Sequence, residues 1–242
     1  MKSFIDINVD VGEGVGNEIE IIPYVSSLNI ACGGHAGDEM SMKYVLELAK
    51  KFNVRVGAHP GFEDRINFGR VPLNISISEL RDSLTKQLDL IRRLSFEEGV
   101  ELQYIKPHGA LYHLACSQLS YAHLLADLAK ADLAILGLPL SVMEFVCNER
   151  KIPFIREGFA DRVYEFNGSL RKRSNEGSIH CSFEHIMQQV LNLCDGKVDT
   201  FNNETIELNV DSICFHGDHK GSEKIIRKVV SRLKEKGIEI RS

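Results

Sequence analysis

The chain has 242 residues, of which 43% are hydrophobic, and carries a formal net charge of −5. This length and composition suit one large α/β domain over residues 1–242, and the negative charge argues against nucleic acid or an anionic membrane as the main partner. No stretch approaches the about 20 apolar residues of a membrane span, and a carboxylate at position 6 comes too early for a signal-peptide core. The six cysteines form no C-x-x-C pair, which favours reduced thiols and a cytoplasmic location.

The first predicted strand starts near Phe4 and alternates between two faces. One face is apolar and consists of Ile5, Ile7, Val9 and Val11. The other face carries Asp6, Asn8 and Asp10, and Gly12-Glu13-Gly14 follows at once, a backbone too permissive to prolong a strand. Neighbouring carboxylates raise each other's proton affinity unless a cation or hydrogen-bond donors intervene. This polar face therefore predicts a reaction site inside a polar cavity.

Apolar runs alternate with amphipathic helical patterns along the rest of the chain. Further strands are predicted at 28–32, 54–58, 102–105, 133–138, 152–155 and 212–215. Helices are predicted at 40–52, from a capping box at Ser76 and Glu79 onward, from about 109 to 131, and at 141–150, 182–194 and 221–236. Asn167-Gly168 predicts a β-hairpin over 163–173, and a second hairpin is expected around Asn202-Asn203.

Strands that alternate with helices indicate a parallel sheet. Seven such strands without an intervening linker favour a closed barrel over an open sheet. The polar residues follow the strands, which is where barrel enzymes hold their active sites. We therefore expect an α/β barrel with one or two β-hairpin insertions.

Histidines and aspartates gather at the predicted strand ends. They are His35, His59, His108 and His216, together with Asp6, Asp10, Asp161 and Asp218. A single histidine at such a position is commonly a turn residue, but several in register predict a shared site. The set also suits a divalent metal, with Asp10, His35 and His59 as first-choice ligands. No H-E-x-x-H pattern accompanies it, so a site without metal stays open.

Lys106 directly follows a predicted strand and precedes Pro107. A lysine so placed holds a phosphate or carboxylate, or polarises a carbonyl; the alternative is a surface lysine. Asp161-Arg162 is either a surface ion pair or a contact for a substrate carboxylate. The glycines at 12, 14 and 16 do not match a dinucleotide-binding loop, and no P-loop motif occurs. Cys32 is a candidate nucleophile or a small core residue.

Seven motifs run in order along nearly the whole chain. They are Asp6-Ile7-Asn8-Val9-Asp10-Val11-Gly12-Glu13-Gly14, the segment from Asn29 to Asp38, Gly57-Ala58-His59-Pro60-Gly61, Phe68-Gly69-Arg70, Lys106-Pro107-His108-Gly109-Ala110-Leu111-Tyr112, Phe159-Ala160-Asp161-Arg162 and His216-Gly217-Asp218. Together these motifs resemble those of the LamB/YcsF family. The resemblance implies a distorted seven-stranded (β/α) barrel of the glycoside hydrolase/deacetylase type.

The resemblance also implies an ATP-hydrolysing 5-oxoprolinase, which opens the lactam of 5-oxo-L-proline to L-glutamate. ATP with Mg²⁺ would be the co-substrate, 5-oxoprolinase subunits B and C would be the partners, and a homo-oligomer stays open. Two other functions also stay open. One is a metal-dependent deacetylase or amidohydrolase that acts alone, and the other is a non-catalytic scaffold that holds partner subunits.

The implied chemistry assigns roles to the motif residues. We expect Asp6 or Asp10 to act as general base, and Lys106 and His108 to stabilise charge on carbonyl or phosphoryl oxygens. Arg162 is expected to anchor the substrate carboxylate. The full set of expected substrate-binding residues is Asn8, Glu13, His35, His59, Asp161, Arg162, His216 and Asp218.

Overall fold

A computed structural model describes residues 2–129, 132–216 and 221–242. Its strands are β1 (Phe4–Val11), β2 (Ser27–Ala31), β3 (Arg55–His59), β4 (Leu102–Ile105), β5 (Ala134–Gly137), β6 (Phe154–Phe159), β7 (Lys197–Asp199), β8 (Thr205–Glu207), β9 (Ser212–Phe215) and β10 (Glu239–Ile240). Strands β1 to β6 pair in sequence, all in parallel, and β9 pairs with both β6 and β1. These seven strands form a closed ring, which confirms the predicted barrel.

Helices surround the ring. They are α1 (Glu18–Ile21), α2 (Glu39–Phe52), α3 (Ile77–Glu98), α4 (Gly109–Ser117), α5 (Leu119–Ala129), α6 (Val142–Arg150), α7 (Phe183–Cys194) and α8 (Ser222–Glu235). The capping box at Ser76 and Glu79 starts α3 as predicted. One helix was expected over 109–131, but the extended backbone of Gln118 (φ −133°, ψ 127°) separates α4 from α5. None of the described helices has the length and apolar character to cross a membrane.

The two faces of β1 divide as the alternation predicts. Its apolar side chains are at most 4% exposed and belong to the hydrophobic core, at Ile5, Ile7, Val9 and Val11. The polar side chains bond to residues of neighbouring barrel strands. Asn8, in the middle of β1, donates to Ser212 Oγ at 2.7 Å and accepts from Asn29 Nδ2 at 2.8 Å. The hydrogen-bonding needs of this polar face are therefore met by its neighbours in the ring.

Asp6 lies at the amino-terminal end of the barrel. Its carboxylate accepts hydrogen bonds from Ser26 Oγ at 2.6 Å, Ser27 Oγ at 2.7 Å and Arg55 Nη2 at 2.8 Å. Asp6 shares its face with Asp10, but four residues of extended strand separate their Cα atoms by about 13 Å. The expectation that Asp6 reaches the reaction site is therefore wrong, because its carboxylate is committed to an ion pair at the other end.

The insertions differ in regularity. Strands β7 and β8 pair antiparallel, as predicted for the hairpin around Asn202-Asn203. At the other predicted hairpin, Gly168 turns the chain with φ +80° and Glu165 N donates to Ser169 O at 2.8 Å. Its arms hold only isolated bridges instead of regular strands. We call residues 163–181 the insertion loop; it connects β6 to α7.

Strand β6 is displaced from its prediction. It was expected at 152–155 but runs from Phe154 to Phe159. Two of the added residues, Arg156 and Glu157, are charged, and both have partners. Arg156 Nε pairs with Asp211 Oδ2 at 2.9 Å, and Glu157 Oε1 lies 2.8 Å from Lys106 Nζ. The longer strand therefore brings a carboxylate into the ring.

We expect Asp6→Ala to lower the free energy of unfolding by about 3–5 kcal/mol, because it leaves a largely buried Arg55 guanidinium without its carboxylate. Urea unfolding measures the loss. The matched control is Asp127→Ala, which removes an acid paired with Arg81 and Arg150 at the surface and should cost about 0–1 kcal/mol. Equal losses in the two variants would contradict this account.

Candidate active site

A cavity of about 580 Å³ lies at the carboxyl ends of the barrel strands. Asp10, Glu13, His59, Lys106 and His108 line it, as do Arg162 and His216. These side chains lie at or just after the carboxyl ends of β1, β3, β4, β6 and β9, so a parallel ring brings them together. Asn8 lies below this level, in contact with Lys106 Nζ at 3.3 Å. Among the described residues, the sequence-predicted side chains therefore converge at this end of the barrel, with Asp6 as the exception.

Lys106 occupies the centre of the barrel and is 2% exposed. Its Nζ lies 2.8 Å from Asp10 Oδ1 and 2.8 Å from Glu157 Oε1. It also donates to Cys214 Sγ at 3.1 Å. Burial alone lowers the pKa of Lys106, but the neighbouring groups outweigh burial and hold it well above its ordinary value. Lys106 is therefore a permanent cation and not a base.

Asp10 is the carboxylate partner of that cation. Burial raises the pKa of Asp10, but His59 and Lys106 outweigh burial and hold it well below its usual range. Its second oxygen, Oδ2, lies 3.5 Å from His59 Nε2. Asp10 is therefore ionised at neutral pH, and its low proton affinity makes it a weak general base.

Three histidine rings pack beside Glu13. His35 Nε2 lies 3.0 Å from Glu13 Oε1, and the rings of His35 and His108 stack with centroids 3.5 Å apart. His108 Nδ1 lies 2.9 Å from His59 Nε2. Burial, reinforced by the neighbouring histidines, lowers the pKa of both His35 and His108 well below the ordinary value. Of the three predicted metal ligands, His35 and His59 join this cluster, whereas Asp10 is paired with Lys106.

Asp161 and His216 form a separate pair. His216 Nδ1 lies 2.8 Å from Asp161 Oδ2, which accepts the ring proton, and Arg173 Nη2 donates to His216 Nε2 at 2.8 Å. Burial raises the pKa of Asp161, but His216 outweighs it and the pKa is lowered. An ionised carboxylate at Nδ1 leaves Nε2 as the basic nitrogen. Asp218, the other residue expected here, lies outside the described residues.

Basic side chains line much of the remaining cavity. They are Arg70, Arg162, Lys172 and Arg173, in addition to Lys106. Arg162 is 2% exposed, and burial lowers its pKa to about 10, so it stays charged at neutral pH. It donates to Arg171 O at 2.5 Å, while its Nε has no partner among the described residues. This excess of cations suits an anionic ligand.

Cys32 does not fit the role of nucleophile. It is 1% exposed and donates to Ile30 O at 3.1 Å. Burial raises the pKa of its thiol to about 12, so the thiolate is absent at neutral pH. Cys32 is therefore a core residue.

Two contributors were missed by the sequence analysis. Glu157 was overlooked because β6 was ended before it; the alternation of Ile155, Glu157 and Phe159 is the signal that would have identified it. Arg173 belongs to a basic run in the insertion loop, and nothing in its local sequence distinguishes it from a solvated charge.

Gly69 leaves room for the histidine rings. A Cβ there would lie 2.8 Å from His35 Cβ and 3.0 Å from His108 Cδ2, and Gly69 has φ +61°. We expect Gly69→Ala to cost at least about 1 kcal/mol more unfolding free energy than Gly14→Ala. Gly14 also has a positive φ (+84°), but a Cβ built there has nothing within 4 Å. Gly14→Ala therefore measures the cost of backbone strain without a steric clash. Equal losses in urea unfolding would show that the rings move aside freely.

Comparison with known proteins agrees with this geometry. Residues 5–242 match the LamB/YcsF family. The A subunit of the 5-oxoprolinase of Histophilus somni is 38% identical over 242 residues, which cover 98% of each chain. The crystal structure of the lactam utilization protein from Thermus thermophilus has a TM-score of 0.90 at 32% identity and covers 98% of this chain and 99% of that one.

A more distant likeness concerns the fold alone. A GH113 β-1,4-mannanase has a TM-score of 0.50 at 9% identity and covers 96% of this chain and 99% of that one. The ring is thus a (β/α)₇ barrel of the type found in glycoside hydrolases and deacetylases, as expected. Since the family match spans nearly the whole sequence and a relative of similar length exceeds 30% identity, the chain belongs to the LamB/YcsF family.

Proposed function

We propose that this chain is the A subunit of an ATP-dependent 5-oxoprolinase that opens 5-oxo-L-proline to L-glutamate, with ATP hydrolysed to ADP and phosphate. Subunits B and C are the proposed partners, and Mg²⁺ accompanies ATP. The names of the relatives support the reaction class. The structural observation that carries the proposal is the buried ammonium of Lys106 in a cavity lined by more Lys and Arg than Asp and Glu side chains.

The charge of the cavity fits the proposed substrate. 5-Oxoproline carries one carboxylate, and a phosphorylated form carries further negative charge. Arg162 offers an unpartnered buried Nε among the described residues, and Arg70, Lys172 and Arg173 supply further donors on the cavity wall. Carboxylate and phosphate oxygens are the ligands that guanidinium groups bind best.

The chemistry explains why ATP is needed. The lactam is an unreactive amide, and transfer of the γ-phosphoryl group to its carbonyl oxygen releases ADP and activates the carbon. Water then adds to that carbon, the ring C–N bond breaks, and the nitrogen takes up a proton. The resulting acyl phosphate reacts with a second water to give glutamate and phosphate. The two waters balance the opening of the lactam and the hydrolysis of ATP.

His216 is the proposed general base for water attack. Asp161 holds the ring with Nδ1 protonated, so Nε2 takes the proton from water and later gives it to the leaving nitrogen. Arg173 occupies Nε2 in the free site, and an anionic substrate would draw this guanidinium away. Asp10 is less suited to this role because Lys106 holds its carboxylate ionised.

Lys106 is the proposed electrostatic stabiliser. A fixed cation placed where negative charge develops lowers the barrier to acyl transfer without reorganisation. Asp10 and Glu157, which come from two different strands, hold Nζ in position. His108, expected to assist Lys106, is neutral and its Nε2 donates to Phe68 O at 2.9 Å, so it adds no positive charge beside Lys106.

An omission assay tests the proposed reaction. The purified chain is mixed with subunits B and C, 5-oxoproline, ATP and Mg²⁺, and glutamate and ADP are measured with each component left out in turn. We expect glutamate and ADP in equal amounts only from the complete mixture. Glutamate formation without this chain, or without ATP, would contradict the proposal.

We expect Lys106→Met to reduce turnover in that assay by at least about 100-fold, because the developing charge loses its fixed cation. Lys43→Met is the matched control, since Lys43 is an exposed residue of α2 paired with Glu39. It should retain normal turnover. Circular dichroism establishes that both variants are folded, and similar turnover in the two would remove Lys106 from the mechanism.

The base assignment predicts the effect of two substitutions. His216→Gln should lower kcat by about 10²–10⁴-fold, because the attacking water loses its proton acceptor. Asp161→Asn should also lower kcat, because the ring loses the carboxylate that accepts its Nδ1 proton. Near-normal kcat in a folded His216→Gln would assign the base to another group.

A further inference from the structure

Two imidazole nitrogens face each other at a distance that a shared proton or a bridging metal ion would satisfy. His59 Nδ1 lies 2.8 Å from Lys106 O, and His108 Nε2 lies 2.9 Å from Phe68 O. A carbonyl oxygen only accepts hydrogen bonds, so both of these nitrogens carry the ring proton. The remaining nitrogens, His59 Nε2 and His108 Nδ1, then present lone pairs to each other at 2.9 Å. Two lone pairs at this distance repel unless a cation lies between them.

Glu13 and His35 complete the group. Glu13 Oε1 lies 3.6 Å from His108 Nδ1 and 3.9 Å from His59 Nε2, which is too far for hydrogen bonds to either. The same oxygen lies 3.0 Å from His35 Nε2. Without an ion, His35 Nε2 donates to this oxygen. With an ion bound, the ring proton would lie on Nδ1, which has no partner among the described residues, and Nε2 would be a ligand. Four donor atoms therefore converge within 4.8 Å of one another.

The separations fit one small ion better than a single proton. Ligand atoms of a tetrahedral ion with bonds of about 2.1 Å lie about 3.4 Å apart. The separations of 2.9, 3.0, 3.6 and 3.9 Å within the cluster bracket that value. A shared proton would join only His59 and His108, whereas one metal ion would use all four donor atoms of the cluster.

The surroundings also match those of metal-binding histidines. Such residues donate their second ring nitrogen to a carbonyl or carboxylate, which fixes the tautomer and the ring orientation. The carbonyls of Lys106 and Phe68 do this for His59 and His108. Gly69 leaves space for the rings of His35 and His108, as shown by the short distances to a Cβ built there.

We propose that Glu13, His35, His59 and His108 bind one divalent transition-metal ion of the Zn²⁺ class. Imidazole donors favour such ions over Mg²⁺ or Ca²⁺, which prefer oxygen. The ligand set differs from the one expected from sequence, because Glu13 and His108 take the place of Asp10. The inference depends only on the geometry of these side chains and not on the proposed reaction.

Metal titration of the isolated chain tests the site. The chain, without a polyhistidine tag, is stripped with chelator and titrated with Zn²⁺, Co²⁺ or Mg²⁺ by calorimetry, and the visible absorption of Co²⁺ reports on nitrogen coordination. We expect one Zn²⁺ or Co²⁺ per chain, a higher melting temperature with bound Zn²⁺, and no comparable binding of Mg²⁺. Failure of Zn²⁺ and Co²⁺ to bind, or preference for Mg²⁺, would overturn the proposal.

Variants locate the bound ion. His108→Asn and Glu13→Gln should each weaken Zn²⁺ and Co²⁺ binding by at least about tenfold and alter the Co²⁺ spectrum. The matched control is His113→Asn, since His113 lines the same cavity but lies outside the cluster; it should bind normally. If His108→Asn does not fold, Glu13→Gln, which keeps the side-chain size, decides the question. Unchanged binding in a folded Glu13→Gln would place the ion elsewhere and overturn the assignment.

Discussion

The interior of this barrel depends on the ammonium group of Lys106. A buried charge without a partner costs several kcal/mol, and here Asp10 and Glu157 approach it from two other strands. Each carboxylate would in turn be repelled by the other without the cation between them. The three groups follow or belong to β4, β1 and β6, so they meet only when the ring is closed. Folding of the barrel and assembly of the site are therefore a single event.

This arrangement also explains why the interior is polar. Barrel interiors are commonly filled by branched apolar side chains, whereas here Asp6, Asn8 and Asp10 face inward from one strand. Each finds partners at its own level: Arg55 for Asp6, Asn29 for Asn8, and Lys106 for Asp10. A buried polar network is tolerated when its members are satisfied. Asp6 and Asn8, which lie nearer the amino-terminal end of the barrel, support the fold. Of the three residues, only Asp10 borders the cavity.

Sequence patterns predicted the ring and most of its strand-end residues, because strand periodicity and strand order are local signals. The position of a residue along the barrel axis is not such a local signal. Asp6 and Asp10 look equivalent on one face of a strand, and only Arg55, brought in from another strand, shows that Asp6 is held at the far end. Glu157 was missed because a charged residue next to Arg156 looks like the end of a strand. Ion pairs between side chains of different strands fix these positions. A single sequence does not show which side chains form such pairs.

The insertion loop contributes Ser169, Leu170, Lys172, Arg173 and Ser174 to the cavity. None of these residues belongs to a strand of the ring, so the part of the pocket that meets the ligand from outside is built separately from the part that holds Lys106. Exchanges at Ser169, Lys172, Arg173 and Ser174, which lie outside the hydrophobic core, would alter selectivity at little cost to folding. Proteins with the same ring can thus diverge in the molecules they accept while they keep an identical charged centre.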